Sequence, residues 1–599
     1  MVRKISQDNY KKKIIRKMFL NSFAAYVISD IPLVIAPLID SAVIANFLGI
    51  RAVAAVGLFA PFMLLYLMIA GIITGGSRNV YANLIGKGEI EQGNFIFSFS
   101  IILLIILSIT FSLVSIIFSK QLAICLGAYG AHSYLAPDLE AYICGMSPGI
   151  VFVNLARFLN GFMHFDKDTQ RSVYSLIIMT AVNIVLDFYV VKYTYSGIFG
   201  IGLATTISNL VWLLVLLCHF LRKDKSLKFL LKSKVKIVKC IQDVFVNGSS
   251  VIVIRISKIL ARLLVNHMLM MYSTGIALAV LSAQKSILNL VGSAYIAGAD
   301  TVWALSGIFY GEEDRNALKE LQNISIKVGL IVATSVSVTL VLLARVLTKA
   351  YLGRYEFNLY EMGIESIRMV AIALPILTLS YIFGNYMIGT KHIKQSNLYF
   401  FMYQFGFFVP VSYILIRMRG GRGAYVALPV VAFLTLLLAL IIIYTYDRNQ
   451  PLNERRLLLD KKKVASKVNE IEFTANSMKE ILGTSGMVSL FCKENNLSSK
   501  STNTISLCVE EICSSIIKNR FDDKKEYSIN IRVVIKELET ILRIRDDCEL
   551  FNPISIGNIN EENDIEQSVN SIKLVTGLSK SANYISVYNT NSIIIKVPN

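Results

Sequence analysis

Charged residues are scarce in this sequence. Asp, Glu, Lys and Arg make up 17% of the 599 residues, whereas soluble proteins carry about 25%. Apolar runs long enough to cross a bilayer recur instead as far as Ile443, and the composition then becomes that of a soluble chain. This pattern excludes an ordinary soluble protein. It predicts a membrane part followed by a C-terminal domain of roughly 140 residues, a usual domain size.

Several signatures of catalysis and metal binding are missing. The eight cysteines form no Cys-x-x-Cys pair and have no histidines at ligand spacing, which disfavours metal and disulfide frameworks. The motifs GxxxxGK[ST] and HExxH are absent as well, and the single GxSxG match, Gly145–Gly149, lies within an apolar run of spanning length. A P-loop pump, a zinc protease and an α/β-hydrolase are therefore disfavoured. The first apolar run lacks a cleavage pattern and is predicted to be retained. From the missing metal and catalytic motifs we expect a protein that is not an enzyme.

The formal net charge of +19 is concentrated beside the apolar runs. Basic residues cluster before the first run, within 222–239 between two central runs, and at 461–463 after the last. Such flanks are typical of cytoplasmic loops attracted to anionic lipid, so we expect membrane lipids as partners and no nucleic acid. An even number of spans would place both termini in the cytoplasm of a multi-pass plasma membrane protein.

Twelve apolar runs reach spanning length, and the two sets of six look alike. In each set the second span leads into a Gly-led acidic loop, which begins at Gly86 or Gly311. A duplicated bundle of this kind binds substrate near the midplane between its repeats. We predict spans at about 19–44, 54–76, 95–118, 142–163, 172–192, 198–221, 247–270, 276–299, 326–347, 366–388, 396–416 and 423–446.

The predicted fold is an all-α polytopic membrane protein of about twelve transmembrane helices in two six-helix lobes, with a C-terminal cytoplasmic α/β sandwich domain. After residue 467, strands are predicted near 470–473, 527–535, 540–545 and 591–597, and helices near 478–495, 502–518 and 569–581. The predicted divisions are a basic N-terminus 1–18, a first lobe 19–221, a basic linker 222–246, a second lobe 247–446, a linker 447–467 and the C-terminal domain 468–599.

Asp40 lies well inside the first span, where a carboxylate costs about 3 kcal/mol and usually faces a wet cavity that handles ions or protons. Pro32 and Pro37 precede it within two turns and free backbone carbonyls near it. In span five, Asn183 and Asp187 share one helical face about 6 Å apart, so both can reach one ion or proton. Two alternatives stay open: a hydrogen bond across helices for Asn183, and a position in water near a helix end for Asp187.

A basic stripe marks span seven. Arg255, Lys258, Arg262 and Asn266 follow one another at helical spacing and occupy about 16 Å of helix axis. Lys285 lies near mid-depth in span eight. Cations within a membrane must meet water, anions or counter-ions. Asp300 lies at roughly the depth of Arg255 and could neutralise that one charge but not the others. The stripe predicts a substrate-binding cavity that favours an anionic or zwitterionic small molecule.

The membrane part resembles the multidrug and toxic compound extrusion (MATE) transporters, strongly in its first half and more loosely in its second. The likeness covers about residues 15–446 and rests on Asp40 with Asn46-Phe-Leu-Gly49, on Asn183 with Asp187, and on Gly197-Ile-Phe-Gly-Ile-Gly-Leu-Ala-Thr205. It implies a proton or sodium site formed by Asp40, Asn183, Asp187 and Thr205, with no cofactor required. The alternative for Thr205 is an interhelical hydrogen bond. It also implies that cation binding bends the first helix, which the prolines Pro32 and Pro37 would permit.

Residues 468–599 resemble the histidine-kinase-like ATPase fold, in its anti-sigma-factor-like branch, through Leu507–Asn519 and Leu542–Pro553. The likeness implies that the nucleotide site is eroded, because side chains replace a metal ligand and two close-approach glycines. We therefore expect weak or no ATP binding and a regulatory or partner-binding role. The positions concerned are Glu511 and Asp546, which are kept, and Ser515, Cys548 and Ser571, which replace the family's Asn, Gly and Gly.

Together these features predict a monomeric secondary active antiporter that exports a small organic solute in exchange for H⁺ or Na⁺. Its cytoplasmic tail would sense or bind a protein partner. A membrane-anchored signalling protein that uses the transporter core as its receptor is one alternative. A flippase for a lipid-linked substrate is another, and it rests only on kinship of the fold.

Overall fold

The computed structural model describes twelve stretches of the chain. In these stretches, ten helices are long and apolar enough to cross a membrane, or up to twelve spans if each of two bent helix pairs counts as one. The predicted number of about twelve spans lies at the upper end of this range. The described stretches are residues 2–166, 168–222, 225–231, 237–272, 275–352, 357–446, 451–459, 469–520, 527–549, 552–556, 577–588 and 590–599.

The first set of helices runs from α1 to α8. Within it, α7 packs on α1 and α8, and α2 packs on α3, α5 and α6. The pair α5 and α6 bends by 47° at Ser147 and Pro148, because proline cannot continue the hydrogen-bond ladder. The bounds are α1 Val2–Val43, α2 Gly49–Gly86, α3 Ile90–Ile117, α4 Ser119–Cys125, α5 Ala136–Met146, α6 Gly149–Met163, α7 Thr169–Tyr193 and α8 Gly197–Leu217.

The second set runs from α9 to α17 and packs around α13, which contacts α10, α11, α12 and α16. The pair α10 and α11 bends by 49°. Helix α2 of the first set lies against α9 and α11 of the second. The bounds are α9 Ile237–Tyr272, α10 Gly275–Leu290, α11 Gly292–Gly311, α12 Arg315–Leu352, α13 Phe357–Gly389, α14 Ile393–Phe401, α15 Phe408–Arg419, α16 Arg422–Thr445 and α17 Leu452–Arg455.

Helix α1 continues through both of its prolines and then passes into a π-helical segment, Ile44–Leu48. Each proline lacks the N–H that would bond four residues back, so the carbonyl groups of Ile28 and Leu33 lose their helical donors. The irregular segment follows Asp40 after one turn. A π-helical turn within an α-helix often marks a functional site.

The C-terminal residues form a five-stranded antiparallel sheet in the order β1-β2-β3-β5-β4. Alternate side chains of its strands pack on two helices, α18 and α19, in one apolar cluster. The bounds are β1 Asn469–Ala475, α18 Met478–Glu494, α19 Ser499–Arg520, β2 Ile529–Ile535, β3 Glu539–Asp546, α20 Pro553–Ile556, β4 Ser581–Val587 and β5 Thr590–Pro598.

The sequence analysis misses strand β4, which begins at Ser581, the last residue of the predicted helix near 569–581. Residues 577–578 of that predicted helix are helical, and residues 569–576 lie outside the described residues. Antiparallel pairing with β5 gives this polar segment its ladder of hydrogen bonds.

The second face of the sheet meets the helical bundle. Ile585, Val587 and Ile594 are buried in the same apolar cluster as residues of α1, α2 and α6. We call residues 469–599 the tail, and the end of the bundle that it contacts the tail side.

Candidate functional site

Two carboxyl groups from different helices meet inside the first set of helices. Asp40 of α1 lies within hydrogen-bonding range of Asp187 of α7, and Asp187 is fully buried. Two carboxylates offer no donor to each other, so a hydrogen bond between them would require a proton on one of them. Like charges this close do not both ionise readily.

The other two predicted members of this site differ in placement. Asn183 is 2% exposed and lies one turn before Asp187, and its amide nitrogen finds no hydrogen-bond partner among the described residues. The hydroxyl of Thr205 donates to the carbonyl of Ile201 in its own helix at 3.1 Å. The structure thus brings Asp40, Asp187 and Asn183 towards one region and leaves Thr205 bonded to its own helix.

Two tyrosines near the carboxyl pair are absent from the sequence predictions. Tyr142 of α5 interacts electrostatically with Asp40, Asp187 and Tyr66, and both tyrosines are buried. The ring of Tyr142 packs edge-on against Phe59 at 5.2 Å. A tyrosine inside an apolar span is the only signal that could have suggested them.

A basic cavity of about 100 Å³ lies within the second set of helices. Three of the five residues predicted to bind substrate line it, namely Lys258, Arg262 and Lys285. The described residues around it include no Asp or Glu, so no carboxylate neutralises the three cations there. Polar and aromatic side chains complete the lining, among them Gln284, Tyr295, Tyr381, Tyr403 and Gln404.

Arg255 and Asn266, the other two predicted substrate residues, do not line this cavity. The guanidinium of Arg255 lies near Gly71, 3.8 Å from where that glycine would carry a Cβ atom, at the boundary of α2 and α9. Asn266 has a buried side-chain oxygen with no hydrogen-bond partner among the described residues. Asp300 interacts with Arg78, so neutralisation of Arg255 by Asp300 finds no support.

In the tail, Asp546 is engaged by the tail's own residues. Its Oδ1 accepts hydrogen bonds from the side chain of Asn591 at 2.7 Å and from the backbone N–H of Cys548 at 3.0 Å. Ser515 accepts a hydrogen bond from Asn519 at 3.4 Å on the same helix, and Glu511 is half-buried on α19. Ser571 lies outside the described residues. Two protein donors thus occupy one oxygen of Asp546, the position at which the family that the tail resembles binds adenine.

The bundle α1–α16 has the fold of the MATE transporters. It overlays a solved MOP superfamily transporter from Pyrococcus furiosus, described as having a binding pocket of reverse polarity, with a TM-score of 0.65 and 18% identity over 71% of this chain and 94% of that one. Residues 26–189 match the MatE family model.

Curated relatives agree with this fold. The chain is 23% identical over 436 residues to a probable multidrug resistance protein, YoeA, of Bacillus subtilis, covering 69% of this chain and 89% of that protein. It is 27% identical over 180 residues to the multidrug export protein MepA of Staphylococcus saprophyticus, a match that covers 39% of MepA. The chain is thus similar, in its family model, its relatives and its fold, to multi-pass MATE transporters, which are transporters rather than enzymes.

Proposed function

We propose that this protein is a cation-coupled antiporter that exports small anionic or zwitterionic organic solutes from the cytoplasm. The carboxyl pair Asp40–Asp187 carries the coupling half of the proposal. The two carboxyl groups can form a hydrogen bond only when one of them is protonated, and when ionised they can bind Na⁺. Such a buried pair can take up and release a cation as the protein changes conformation. The unpartnered amide of Asn183 beside it offers a further polar ligand.

The basic cavity supports the solute half of the proposal. Three cations without a neighbouring carboxylate among the described lining residues repel organic cations and attract carboxylates, sulfonates or phosphates. The tyrosine and glutamine side chains around them can donate hydrogen bonds to the same anionic groups. The solved relative from Pyrococcus furiosus, with its pocket of reverse polarity, is a precedent within this fold for a change in pocket charge.

In this proposal the two lobes and their linkers have the boundaries predicted from the sequence. Both termini lie in the cytoplasm, and the tail is a cytoplasmic regulatory module. We place the coupling site in the first lobe, 19–221, and the solute site in the second, 247–446. Bending of α1 at Pro32 and Pro37 would link the two, because α1 carries Asp40 and contacts α11 and α12 of the second lobe.

Transport by purified protein in vesicles tests the proposal. Uptake or release of fluorescent anions and cations is followed under an imposed H⁺ or Na⁺ gradient. We expect one of these gradients to drive anion transport by the wild-type protein. We expect that transport to be lost in Asp40→Asn and in Asp187→Asn. Asp138→Asn is the matched control, since Asp138 forms a surface ion pair with Arg51 at 2.6 Å. Gradient-driven anion transport that survives both substitutions would exclude the carboxyl pair as the coupling site.

A further inference from the structure

The tail touches both sets of helices at equivalent loops. The loop between α2 and α3 (residues 87–89) and the loop between α11 and α12 (residues 312–314) are the two Gly-led acidic loops of the sequence repeat. Arg543 of β3 reaches both of them: it donates to the carbonyl of Gly86 at 2.7 Å and forms an ion pair with Glu312. One side chain of the tail therefore joins the two sets of helices.

Buried charges hold the tail to the second set. Glu312 also pairs with Arg545 at 2.5 Å, and Arg532 donates to the backbone carbonyls of Glu312 and Glu313 at 3.1 and 3.3 Å. The side chains of Arg532, Arg543 and Arg545 are 5–9% exposed, and that of Glu312 is 1% exposed. Ion pairs with so little water depend on every partner, because a lone buried charge is strongly unfavourable.

The hairpin β4–β5 holds the tail to the first set. Its turn residue Tyr588 is 1% exposed, donates its backbone N–H to the carbonyl of His164 at 3.3 Å, and packs edge-on against Phe165 at 5.6 Å. Its ring also stacks on that of His164 at 6.4 Å, and it interacts electrostatically with Tyr26 of α1. Tyr588 has a φ of +48°, which is unfavourable for a bulky residue and persists only where the surroundings hold it.

The helices that the tail joins are in close contact on the tail side. Gly86 and Gly311 each lie against a backbone carbonyl of the other helix, those of Ile308 and Asn83. An alternating-access transporter must part its two lobes on each side of the membrane in turn. Separation of α2 and α11 on the tail side would pull Arg543 from Gly86 or from Glu312.

We propose that the tail is an autoinhibitory latch that holds the two lobes together on the tail side and must release before the transporter opens there. The inference concerns the conformation of the bundle and does not depend on which solute or coupling ion is used. The latch consists of two contacts. Three arginines of the tail sheet bind the acidic loop at residues 312–314, and Tyr588 packs near His164.

Distances between the lobes in the full-length protein test this latch. Spin labels are attached at Glu91→Cys on α3 and Lys319→Cys on α12, two exposed positions on the tail side, with the exposed Cys125 and Cys218 replaced by Ser. Pulsed dipolar spectroscopy then measures the fraction of molecules with long inter-label distances. Glu312→Arg places like charges together and is expected to raise this fraction about tenfold or more. Tyr588→Ala, at a separate contact, is expected to act in the same direction.

Two further variants decide the outcome. Adding Arg543→Glu to Glu312→Arg restores an ion pair and is expected to lower the long-distance fraction again. Lys493→Glu reverses a charge on the exposed end of α18, away from the bundle, and is expected to leave the distances unchanged. Unchanged distances in both Glu312→Arg and Tyr588→Ala would overturn the latch, as would an equal opening in Lys493→Glu. Since the readout needs no transport, it stands even if the vesicle experiment fails.

Discussion

The carbonyl oxygen of Ile308 lies 2.2 Å from the point where Gly86 would carry a Cβ atom. Helices α2 and α11 therefore meet backbone to backbone on the tail side, and Gly311 makes the reciprocal contact at 2.4 Å from the carbonyl oxygen of Asn83. Since no side chain fits there without movement, glycine at both positions permits this closure of the two lobes.

Gly86→Ala is expected to push α2 and α11 apart and to lower the thermal unfolding temperature of the purified protein, by an overpacking cost of about 1–3 kcal/mol. Gly57→Ala is the matched control on the same helix, where a Cβ would meet nothing within 4 Å. That change is expected to stabilise the helix by about 0.5–1 kcal/mol. Equal unfolding temperatures for the two variants would contradict a close contact at Gly86.

Arg262→Gln is expected to weaken the binding of an anionic solute by about 1.5–3 kcal/mol, the usual contribution of a hydrogen bond to a charged group. Lys258→Gln and Lys285→Gln should act alike, because all three cations line one cavity. Competition between solutes in transport assays measures the effect. Lys120→Gln, a neutralisation on the exposed surface of α4, serves as the control. If the three cavity variants match it, the cavity does not bind the transported anion.

Asp314 predicts an acid-sensitive contact between tail and bundle. Burial raises the pKa of Asp314, but the charges of Lys11 and Arg532 outweigh burial and hold that pKa below its ordinary value of 3.8. Its contribution to docking is therefore present above pH 3.8 and is lost as the pH falls through its lowered pKa. Glu472, which shares Lys11, has a pKa raised by burial and by Asp314, so it takes up its proton first.

Energy transfer between fluorophores on the tail and on α3 measures this docking. The wild-type protein is expected to stay docked at neutral pH and to lose transfer in the acid range below 3.8. Asp314→Asn should reduce transfer already at neutral pH and flatten the acid transition. A transition of the same size and midpoint in Asp314→Asn would assign the acid response to other groups.

Asp546 predicts a structural rather than a nucleotide-binding role for the eroded site of the tail. Asp546→Ala removes one of the two acceptors of the Asn591 side chain, which also donates to the carbonyl of Glu549, and the acceptor of the Cys548 N–H. A buried donor left without an acceptor costs about 1–3 kcal/mol. We expect lower thermal stability in this variant. A fluorescent ATP analogue should bind the full-length wild-type protein no better than it binds the variant. Saturable binding that Asp546→Ala abolishes would instead restore a nucleotide site.

The membrane part was predictable because its signals are local in sequence. Apolar runs mark the spans, and a carboxylate inside such a run draws attention, so Asp40 and Asp187 could be named in advance. Helical spacing assigned Arg255 and Arg262 to one face, but spacing does not say which neighbour that face meets. In the structure the two residues meet different neighbours: Arg262 lines the cavity, whereas Arg255 lies beside α2.

The tail contacts were beyond prediction for a different reason. Arg543 and Glu312 are 231 positions apart. The acidic loop that contains Glu312 is visible in the sequence, but nothing local indicates that β3 is its partner. Alternation along β3 indicates only that Arg543 and Arg545 share a face. Strand β4 is also not predicted from the sequence, because Ser581–Val587 is mixed in polarity and forms a strand by pairing with β5.

The salt bridge between Lys11 and Glu472 joins residues 461 positions apart, at 2.7 Å. When the helix α16 leaves the ribosome, the strands β2–β5 that complete the tail sheet have not yet been made, because β2 begins only at Ile529. The bundle therefore completes its membrane insertion before the tail can bind it. Each newly made molecule passes through an interval in which no latch holds its lobes together. A chain cut short after α16 would stay in that unclamped condition for its whole lifetime.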